Sequence, residues 1–360
     1  MKKKFLSLTL ALMVVLASTG CSKTSAPAGS TGKPDAGTSV SSSGTQSTGE
    51  AEFILKIAGT YNEESFMGIE ANDYFKPYVE ENSNGRIKVE VYCNSVLGSD
   101  RELIEAMQLN TVQAAIAPVN VIANFNMPKL NAISMPYLFH DREDAYAQLD
   151  GEFGEYMKED LPEVVGIRAL KWSESAIRNL SNSKRTITSP DDCKGLKFRV
   201  MEAAIDMAII ESLGGSPTPM AFNELYTGLQ QKTVDGQDNG LVMTYQMKFY
   251  EVQKYYTVTE QYFLANGLVV SELFWQSLPE DLQQVVADGA EYALTEGRKI
   301  VVEQEETCIP VMEQAGMEIT YLSDEQRDAF KDATKPVWDR IGEIVKDEKA
   351  IEMATDLYNR

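Results

Sequence analysis

Residues 215–239 read GSPTPMAFNELYTGLQQKTVDGQDN, a stretch in which one helix lies between two segments rich in turn-forming residues. The helix is predicted over residues 223–231, where Leu225, Tyr226 and Leu229 supply the face on which it packs. The Ser-Pro-Thr-Pro segment before it predicts a turn, and residues 233–235 predict a short strand after it. A helix followed at once by a strand is the repeating step of an α/β fold, and the same alternation extends on both sides.

The amino-terminal side repeats this alternation from residue 53 onward. A nearly continuous apolar run over residues 53–58 predicts a strand buried on both faces, and apolar residues at helical spacing follow from Met67 to Val79. Residues 87–91 alternate apolar and polar side chains and predict a second strand. Ser99 and Glu102 form a capping-box signature that opens another helix, and residues 112–117 predict a third strand. Tandem units of this kind predict a mostly parallel sheet covered by helices.

A second α/β set is predicted from about residue 176, with a strand over residues 197–200 and a helix over residues 203–213. Residues 279–315 contain no strong helix breaker before Pro310 and predict one long helix with a kink at this proline. Such a helix of about 35 residues would be roughly 50 Å long and should lie across both lobes. We therefore predict a two-lobed α/β protein, as the length of 360 residues also favours. Residues 52–175 plus about 265–305 are assigned to lobe I, and residues 176–264 plus about 306–360 to lobe II.

The amino terminus has the pattern of an export signal. Three lysines at positions 2–4, an apolar run and small residues up to Gly20 predict a lipoprotein signal peptide over residues 1–20. Cys21 would become the acylated amino terminus, although Ser18 departs from the aliphatic residue usual at its place; an ordinary secretory signal cleaved nearby is the alternative. Residues 22–50 are mostly Ser, Thr, Gly, Ala and Pro and predict, over residues 21–51, a disordered tether. The protein would then be anchored outside the cytoplasm at the cell membrane.

Composition excludes several classes of function. The formal net charge of −21 makes nucleic acid and anionic lipid poor partners. Cys93, Cys193 and Cys308 are scattered and predict neither a disulfide framework nor a metal site, so we interpret them as small apolar side chains. His140 is the only histidine and lies in a segment typical of a solvated turn. Because the sequence contains no nucleophile elbow, no His-Glu-x-x-His and no phosphate loop, it indicates no catalytic centre, no metal and no cofactor.

Two arginines have ambiguous patterns when the residues are considered alone. In the segment Lys-Phe-Arg-Val (197–200), strand alternation places Arg199 with Lys197 on the face opposite Phe198. This pattern favours a solvated strand face, since arginine is usually exposed. Arg178, in the segment Ala-Ile-Arg-Asn (176–179), is equally ambiguous.

Several segments, in this order along the chain, resemble the solute-binding proteins of TRAP (tripartite ATP-independent periplasmic) transporters, of the C4-dicarboxylate-binding type. They are LGSDR (97–101), MPYLF (135–139), residues 178–185, GLKFRV (195–200), LGGSPTPM (213–220), FNELY (222–226), LQ (229–230), VDGQDN (234–239) and KFYEV (248–252). The resemblance covers most of residues 52–340. It implies the two-lobed architecture of periplasmic binding proteins, with a ligand cleft between the lobes.

The resemblance also implies roles for individual residues. Arg199 occupies the place of the arginine that holds the ligand carboxylate, Arg178 that of an assisting arginine, and Asn239 that of an asparagine that contacts the ligand. Phe222 matches an aromatic residue often found against the ligand. Asp238 and Gly240 depart from the glutamate and proline usual at their places, which predicts a looser backbone around Asn239.

Three further residues are candidate ligand contacts. Trp172 precedes Arg178 and is predicted either to stack on a sugar-like ligand or to pack in the core. Thr60 and Tyr61 follow the first strand, and strand ends are where open α/β sheets place ligand contacts.

The function implied by the resemblance is that of a monomeric extracytoplasmic receptor without enzymatic activity. It would capture a small organic acid, such as a C4-dicarboxylate or a sugar acid, and deliver it to TRAP permease subunits in the membrane. A binding protein of an ATP-driven importer is one alternative, which the long helix and the arginine motif disfavour. A secreted enzyme acting on acidic sugars is the other.

Overall fold

The computed structural model describes residues 50–360, so the predicted signal peptide, Cys21 and nearly all of the predicted tether lie outside the described residues. One mixed sheet of nine strands forms the centre of this part of the chain, with the order β2-β1-β3-β8-β4-β7-β5-β6 and with β9 paired to β8. The strands are β1 (Phe53–Ala58), β2 (Ile87–Tyr92), β3 (Ala114–Pro118), β4 (Ile167–Asn182), β5 (Lys197–Val200), β6 (Ser216–Pro219), β7 (Gly236–Asn239), β8 (Tyr255–Ser271) and β9 (Glu318–Tyr321).

Helices surround this sheet. The α-helices are α1 (Phe66–Ile69), α2 (Lys76–Asn82), α3 (Asp100–Gln108), α4 (Val119–Ile122), α5 (Arg142–Leu149), α6 (Glu152–Lys158), α7 (Leu161–Val164), α8 (Ala204–Ser212), α9 (Phe222–Gln230), α10 (Leu241–Gln246), α11 (Glu272–Ser277), α12 (Glu280–Gln314), α13 (Asp324–Asp339), α14 (Ile341–Val345) and α15 (Glu348–Tyr358). A π-helix (Glu70–Phe75) continues α1 into α2, and 3-10 helices span Pro128–Ser134, Pro190–Cys193 and Phe249–Glu251.

Two long antiparallel strands, β4 and β8, join the two halves of the sheet. The second half of β8 pairs with β3, which connects it to the parallel strands β1 and β2. The second half of β4 pairs with β7, which connects it to the parallel strands β5 and β6. Each long strand therefore belongs to both halves, and the fold is the two-lobed α/β architecture predicted from the sequence.

Most of the predicted elements are confirmed. Strands β1, β2, β3 and β5, helices α8 and α9 and the long helix α12 lie at or within two residues of their predicted positions. The capping box of Ser99 and Glu102 forms at the start of α3, where each side chain accepts from the backbone of the other residue. Local pattern was sufficient here because the apolar face of each element is buried in the core.

Two local predictions were wrong. The Ser-Pro-Thr-Pro segment is not a turn: it forms β6, an edge strand, where proline is tolerated because the outer side needs no N–H donor. The strand predicted over residues 233–235 begins only at Gly236, since the polar residues 236–239 pair with β4 and β5. The predicted start of the second α/β set near residue 176 lies inside β4, the strand that belongs to both halves of the sheet, and the lobe boundary there stays a prediction.

The long helix α12 contacts elements from both halves of the sheet. Near its middle, Arg298 Nη2 donates to the carbonyl of Trp172 in β4 at 2.8 Å, and the Gln304 side chain accepts from Gln246 in α10. Pro310 lies inside the helix, and a kink there stays a prediction. Every helix of residues 50–360 is too short or too polar to span a bilayer.

The carboxy-terminal helices pack on residues 128–158. Trp338 Nε1 donates to the carbonyl of Pro136 at 3.0 Å, and the Tyr156 hydroxyl donates to Asp347 at 2.9 Å. These contacts hold the carboxy-terminal helices against that segment, and α13 also contacts α8.

Candidate functional site

A cleft lies where the two halves of the sheet meet, at the ends of β1, β3 and β5 and the middle of β4 and β8. It encloses about 450 Å³ of empty space, part of which is open to solvent. Six of the seven ligand contacts proposed from the sequence line it: Thr60, Tyr61, Arg178, Arg199, Phe222 and Asn239. Apolar side chains complete much of the wall, namely Met67, Ile116, Pro118, Met201, Met243 and Leu264.

Arg199 is a buried cation that forms no ion pair with any of the described residues. It lies on β5 with only 2% of its surface exposed, and its Nε donates to the carbonyl of Met220 at 2.9 Å. Within the described residues, its other N–H groups have no acceptor, and no carboxylate oxygen lies within 4.0 Å of its nitrogen atoms. Burial, followed by repulsion from Arg178, lowers the pKa of Arg199 to about 10, so the side chain still carries its charge at neutral pH. The solvated strand face that the local pattern favoured is therefore not what the structure shows.

Arg178 is also buried, but its charge is already neutralised. On β4, its Nε donates to Asp238 Oδ2 at 3.1 Å, its Nη2 to the carbonyl of Asp238 at 2.5 Å and its Nη1 to Asn239 Oδ1 at 3.0 Å. Burial by itself lowers the pKa of Arg178, and the charge of Asp238 reverses this, so that the pKa is raised. Arg199 therefore has a charge and N–H groups available for a ligand, whereas those of Arg178 are already engaged by Asp238 and Asn239.

Asn239 is held firmly on β7. Its Oδ1 accepts from Arg178 and from the backbone N–H of Gly240 at 2.9 Å, and its Nδ2 donates to Gln237 Oε1 at 3.2 Å. Gly240 approaches β4 so closely that an added Cβ would lie 2.5 Å from the Cβ of Ala176. The looser backbone predicted from the departures at 238 and 240 is therefore not seen, because Asp238 and Gly240 both make close contacts with β4.

Thr60 and Tyr61 form the opposite wall with Asp100, a residue for which sequence analysis proposed no role. The Thr60 hydroxyl donates to Asp100 Oδ1 at 3.1 Å. Burial raises the pKa of Asp100 to about 6, although the Thr60 hydrogen bond and the charge of Arg199 oppose the rise. The Tyr61 hydroxyl is buried and has no hydrogen-bond partner among the described residues. Asp100 is the first residue of α3, and its sequence signals were its place beside the capping box and inside the family-like segment LGSDR (97–101).

Trp172 does not line the cleft. Its side chain is 1% exposed, its Nε1 donates to the carbonyl of Gly154 at 2.9 Å, and it belongs to the hydrophobic core. Of the two roles predicted for Trp172, core packing is the one that this position supports. Ser175 and Asn266, which sequence analysis did not propose, do line the cleft.

Metal-binding groups are not evident at the cleft. Among residues 50–360, no cluster of three or more histidine, cysteine or acidic side chains is arranged to hold a metal ion. The three cysteines of this part of the chain are buried and free.

Comparison with known proteins gives a consistent result. The family model described as bacterial extracellular solute-binding protein, family 7, matches residues 57–344. The C4-dicarboxylate-binding periplasmic protein of Rhodobacter capsulatus is 32% identical over 288 residues, which are 78% of this chain and 85% of that protein. The 2,3-diketo-L-gulonate-binding periplasmic protein of Escherichia coli K12 is 31% identical over 259 residues, 72% of this chain and 78% of that protein.

Solved structures of similar proteins contain acids in complex. The sugar acid binding protein of Advenella mimigardefordensis, in complex with galactonate, has a TM-score of 0.81 and 27% identity, covering 85% of this chain and 97% of that one. A TRAP periplasmic solute-binding protein of Polaromonas sp. JS666, bound to D-erythronate, has a TM-score of 0.80 and 32% identity, with coverages of 85% and 98%. One from Sulfurospirillum deleyianum, with bound succinate, has a TM-score of 0.80 and 28% identity, with coverages of 86% and 100%.

Proposed function

The chain belongs to family 7 of the bacterial extracellular solute-binding proteins and is a receptor of a TRAP uptake system for small organic acids; on this premise, we propose which acid it captures and which residues hold it. Arg199 binds the carboxylate of the ligand. Arg178 and Asn239 form the adjoining wall, and Phe222 lies against the ligand. Thr60 and Tyr61 bind it from the other side of the cleft. Trp172 has no part in this proposal, because it lies in the core.

The observation that carries the proposal is the unpaired charge of Arg199. A buried guanidinium without a carboxylate partner is costly, and an anionic ligand that enters the cleft removes this cost. A planar guanidinium can donate two parallel hydrogen bonds to one carboxylate, each worth about 1.5–3 kcal/mol. The Phe222 ring, whose centre lies 5.8 Å from the Arg199 guanidinium carbon, limits the directions from which a carboxylate can approach.

The ligand class is a hydroxylated monocarboxylate, such as an aldonic acid. Asp100, Tyr61 and Thr60 present acceptors and hydroxyl groups that suit the hydroxyl groups of a sugar acid. The ionised Asp100 carboxylate would repel a second carboxylate of the ligand, which disfavours succinate-like dicarboxylates. This class agrees with the galactonate and D-erythronate complexes of the similar proteins.

A ligand screen tests the ligand class directly. D-galactonate, L-galactonate, D-erythronate, D-glucuronate and succinate would be compared by thermal shift and then by calorimetric titration. A ligand at 100 times its Kd stabilises the protein by about 2.7 kcal/mol, which is easily detected. We expect the aldonates to bind more tightly than succinate. Tighter binding of succinate would reject the class, and no binding by any acid at pH 6 to 8 would reject the site.

The bound acid should be recovered unchanged, since the receptor performs no chemistry; its conversion would favour the enzyme alternative.

The proposal includes a lipid anchor and membrane partners. Acylated Cys21 and the polar tether hold the monomeric receptor at the outer face of the cell membrane, where it delivers the acid to the TRAP permease subunits. Replacing Cys21 with alanine in the native host should release the receptor from the membrane fraction, whereas a serine-to-alanine change in the tether, at Ser42, should not. Unchanged membrane retention of the Cys21→Ala protein would contradict the anchor.

A further inference from the structure

A buried tyrosine hydroxyl lies between two buried carboxyl groups beneath the cleft. The oxygen of Tyr262 on β8 is 2.5 Å from Asp206 Oδ1 on α8 and 2.8 Å from Asp238 Oδ2 on β7. All three residues are at most 2% exposed, so bulk water does not reach these contacts. Asp238 also pairs with Arg178, which lines the cleft. Tyr262, Asp206 and Asp238 are therefore connected to the proposed ligand site through one residue, Arg178.

The number of protons in this group determines its charge. The Tyr262 hydroxyl has one proton and can donate it to only one of the two carboxyl groups. If both carboxyl groups were ionised, the other contact would bring two acceptor oxygens within hydrogen-bond distance with no proton between them. The arrangement therefore requires one additional proton on a carboxyl group.

The neighbouring groups place this proton on Asp206. Asp238 Oδ2 accepts from Arg178 Nε at 3.1 Å, as an ionised carboxylate does. Asp206 Oδ2 accepts from Asn120 Nδ2 at 2.9 Å, and Asn120 is oriented by Ser134, whose hydroxyl donates to its Oδ1 at 2.7 Å. Two carboxyl oxygens face the Tyr262 hydroxyl, Asp206 Oδ1 and Asp238 Oδ2, and a proton on Asp238 Oδ1, which has no partner among the described residues, would not lie in either contact. Because Asp238 Oδ2 accepts from Arg178, the additional proton belongs on Asp206 Oδ1, which donates it to the Tyr262 oxygen while Tyr262 donates to Asp238.

We propose that Asp206 binds a proton that is thermodynamically linked to capture of the ligand carboxylate, through Tyr262, Asp238 and the two cleft arginines. Asp206 acts as a positioning residue, since it does not line the cleft. The charged and titratable groups that face it are Tyr262 of β8, Asp238 of β7, Arg178 of β4 and Arg199 of β5. From α13, which packs on α8, no described charged side chain forms an ion pair or a hydrogen bond with Asp206.

Charge balance explains the linkage, which rests on the proposed binding of a carboxylate by Arg199. With Asp206 protonated, Arg178, Arg199 and Asp238 leave one positive charge at this wall, and one ligand carboxylate neutralises it. With Asp206 ionised the wall is already neutral, and the ligand gains less from binding. Burial, and then the charge of Asp238, raise the pKa of Asp206 to about 6 in the ligand-free protein. The bound carboxylate raises this pKa further, because it adds a nearby negative charge.

The sign of the pH dependence follows from this shift. Below pH 6, Asp206 is protonated with or without ligand, and binding takes up no proton from solvent. Above pH 6, binding takes up a proton, and the affinity falls by at most about tenfold for each pH unit up to the pKa of the complex. Asp100, which lines the cleft and titrates in the same range, adds its own contribution, and the experiment must separate the two.

Calorimetric titration with L-galactonate at pH 7.5, in two buffers with different ionisation enthalpies, measures the protons taken up on binding. Asp206→Asn should bind L-galactonate but take up fewer protons than the parent, by up to one per site, and its affinity should fall less between pH 6 and 8. Asp100→Asn is the matched control, and on binding it should still take up the proton that Asp206 contributes. Proton uptake by Asp206→Asn equal to that of the parent would overturn the proposal. D-galactonate replaces L-galactonate if the latter does not bind.

A second measurement keeps the inference separate from the proposed function. In the ligand-free parent, the carboxyl ¹³C of Asp206, assigned through its own Cβ and Hβ, should titrate well above the ordinary aspartate pKa of about 3.9. This holds even if no acid binds, which would count against the proposed function alone. An ordinary pKa for Asp206 would overturn the inference even if L-galactonate binds tightly.

Discussion

The two cleft arginines differ only in their surroundings, and substitution of each should have a different consequence. Arg199→Ala removes the unpaired cation that we propose to hold the carboxylate. Leaving a buried ligand charge without its partner costs about 3–5 kcal/mol, so affinity should fall roughly 10²- to 10⁴-fold. Arg199→Lys should restore only part of the loss, since a lysine lacks the planar fork of donors. Titration calorimetry with the tightest acid of the screen measures both variants, and parental affinity in Arg199→Ala would reject the carboxylate role.

Stability provides the matching control for these variants. Arg178→Ala leaves buried Asp238 without its cation, so the free energy of unfolding should fall by about 3–5 kcal/mol in the ligand-free protein. Arg199→Ala removes a buried charge that has no counter-ion among residues 50–360, and the ligand-free protein should be at least as stable as the unsubstituted protein. Denaturant unfolding without ligand compares the two. A larger stability loss in Arg199→Ala than in Arg178→Ala would mean that the two assignments are reversed.

At the scale of secondary structure elements, the contact between the π-helix and α12 depends on one glycine. Gly297 of α12 lies against Glu70 of the π-helix, whose Oε1 is buried without a hydrogen-bond partner among the described residues. A Cβ at position 297 would lie 1.7 Å from this oxygen. Gly297→Ala should therefore lower the free energy of unfolding by about 1–3 kcal/mol, despite the gain in helix propensity.

Gly342 in α14 is the matched control, because an added Cβ there meets no atom within 4 Å. Gly342→Ala should be neutral or should stabilise the protein by up to about 1 kcal/mol. In a Glu70→Ala background, Gly297→Ala should regain stability, since the clash is absent. Equal stability changes for Gly297→Ala in both backgrounds, measured by denaturant unfolding, would contradict this contact.

At the scale of the whole molecule, the two halves of the sheet should close around a bound acid. Thr60 and Asp100 lie on one side of the cleft and Arg199 and Phe222 on the other, so closure excludes water from the ion pair at Arg199. Small-angle scattering should show a smaller radius of gyration with the tightest acid of the screen than without it. Arg199→Ala at the same acid concentration should keep the larger radius. An unchanged radius in the saturated parent would argue against closure, and the residue ranges of the two lobes stay a prediction that crystal structures of both states would test.

Local patterns along the chain predicted the α/β fold class and most of its elements. Apolar spacing located β1, α8, α9 and α12, and the capping box located the start of α3, because these signals act between residues close in the chain. These patterns missed β6, because pairing at the sheet edge overrides the turn preference of Ser-Pro-Thr-Pro. Four of the six cleft residues came from the family resemblance, since local pattern favoured a solvated Arg199, whereas Thr60 and Tyr61 came from their position at the end of the first strand.

The pairing of the charges could not be predicted from local pattern, because the partners are far apart in the chain. Arg178 meets Asp238 across 60 residues of sequence, Asn120 meets Asp206 across 86, and Tyr262 joins both carboxyl groups from a third strand. The tertiary structure also placed Trp172 in the core and Asp100 in the cleft. The energy of a charge depends on its burial and on its partners, and strand pairing sets both from distant parts of the chain.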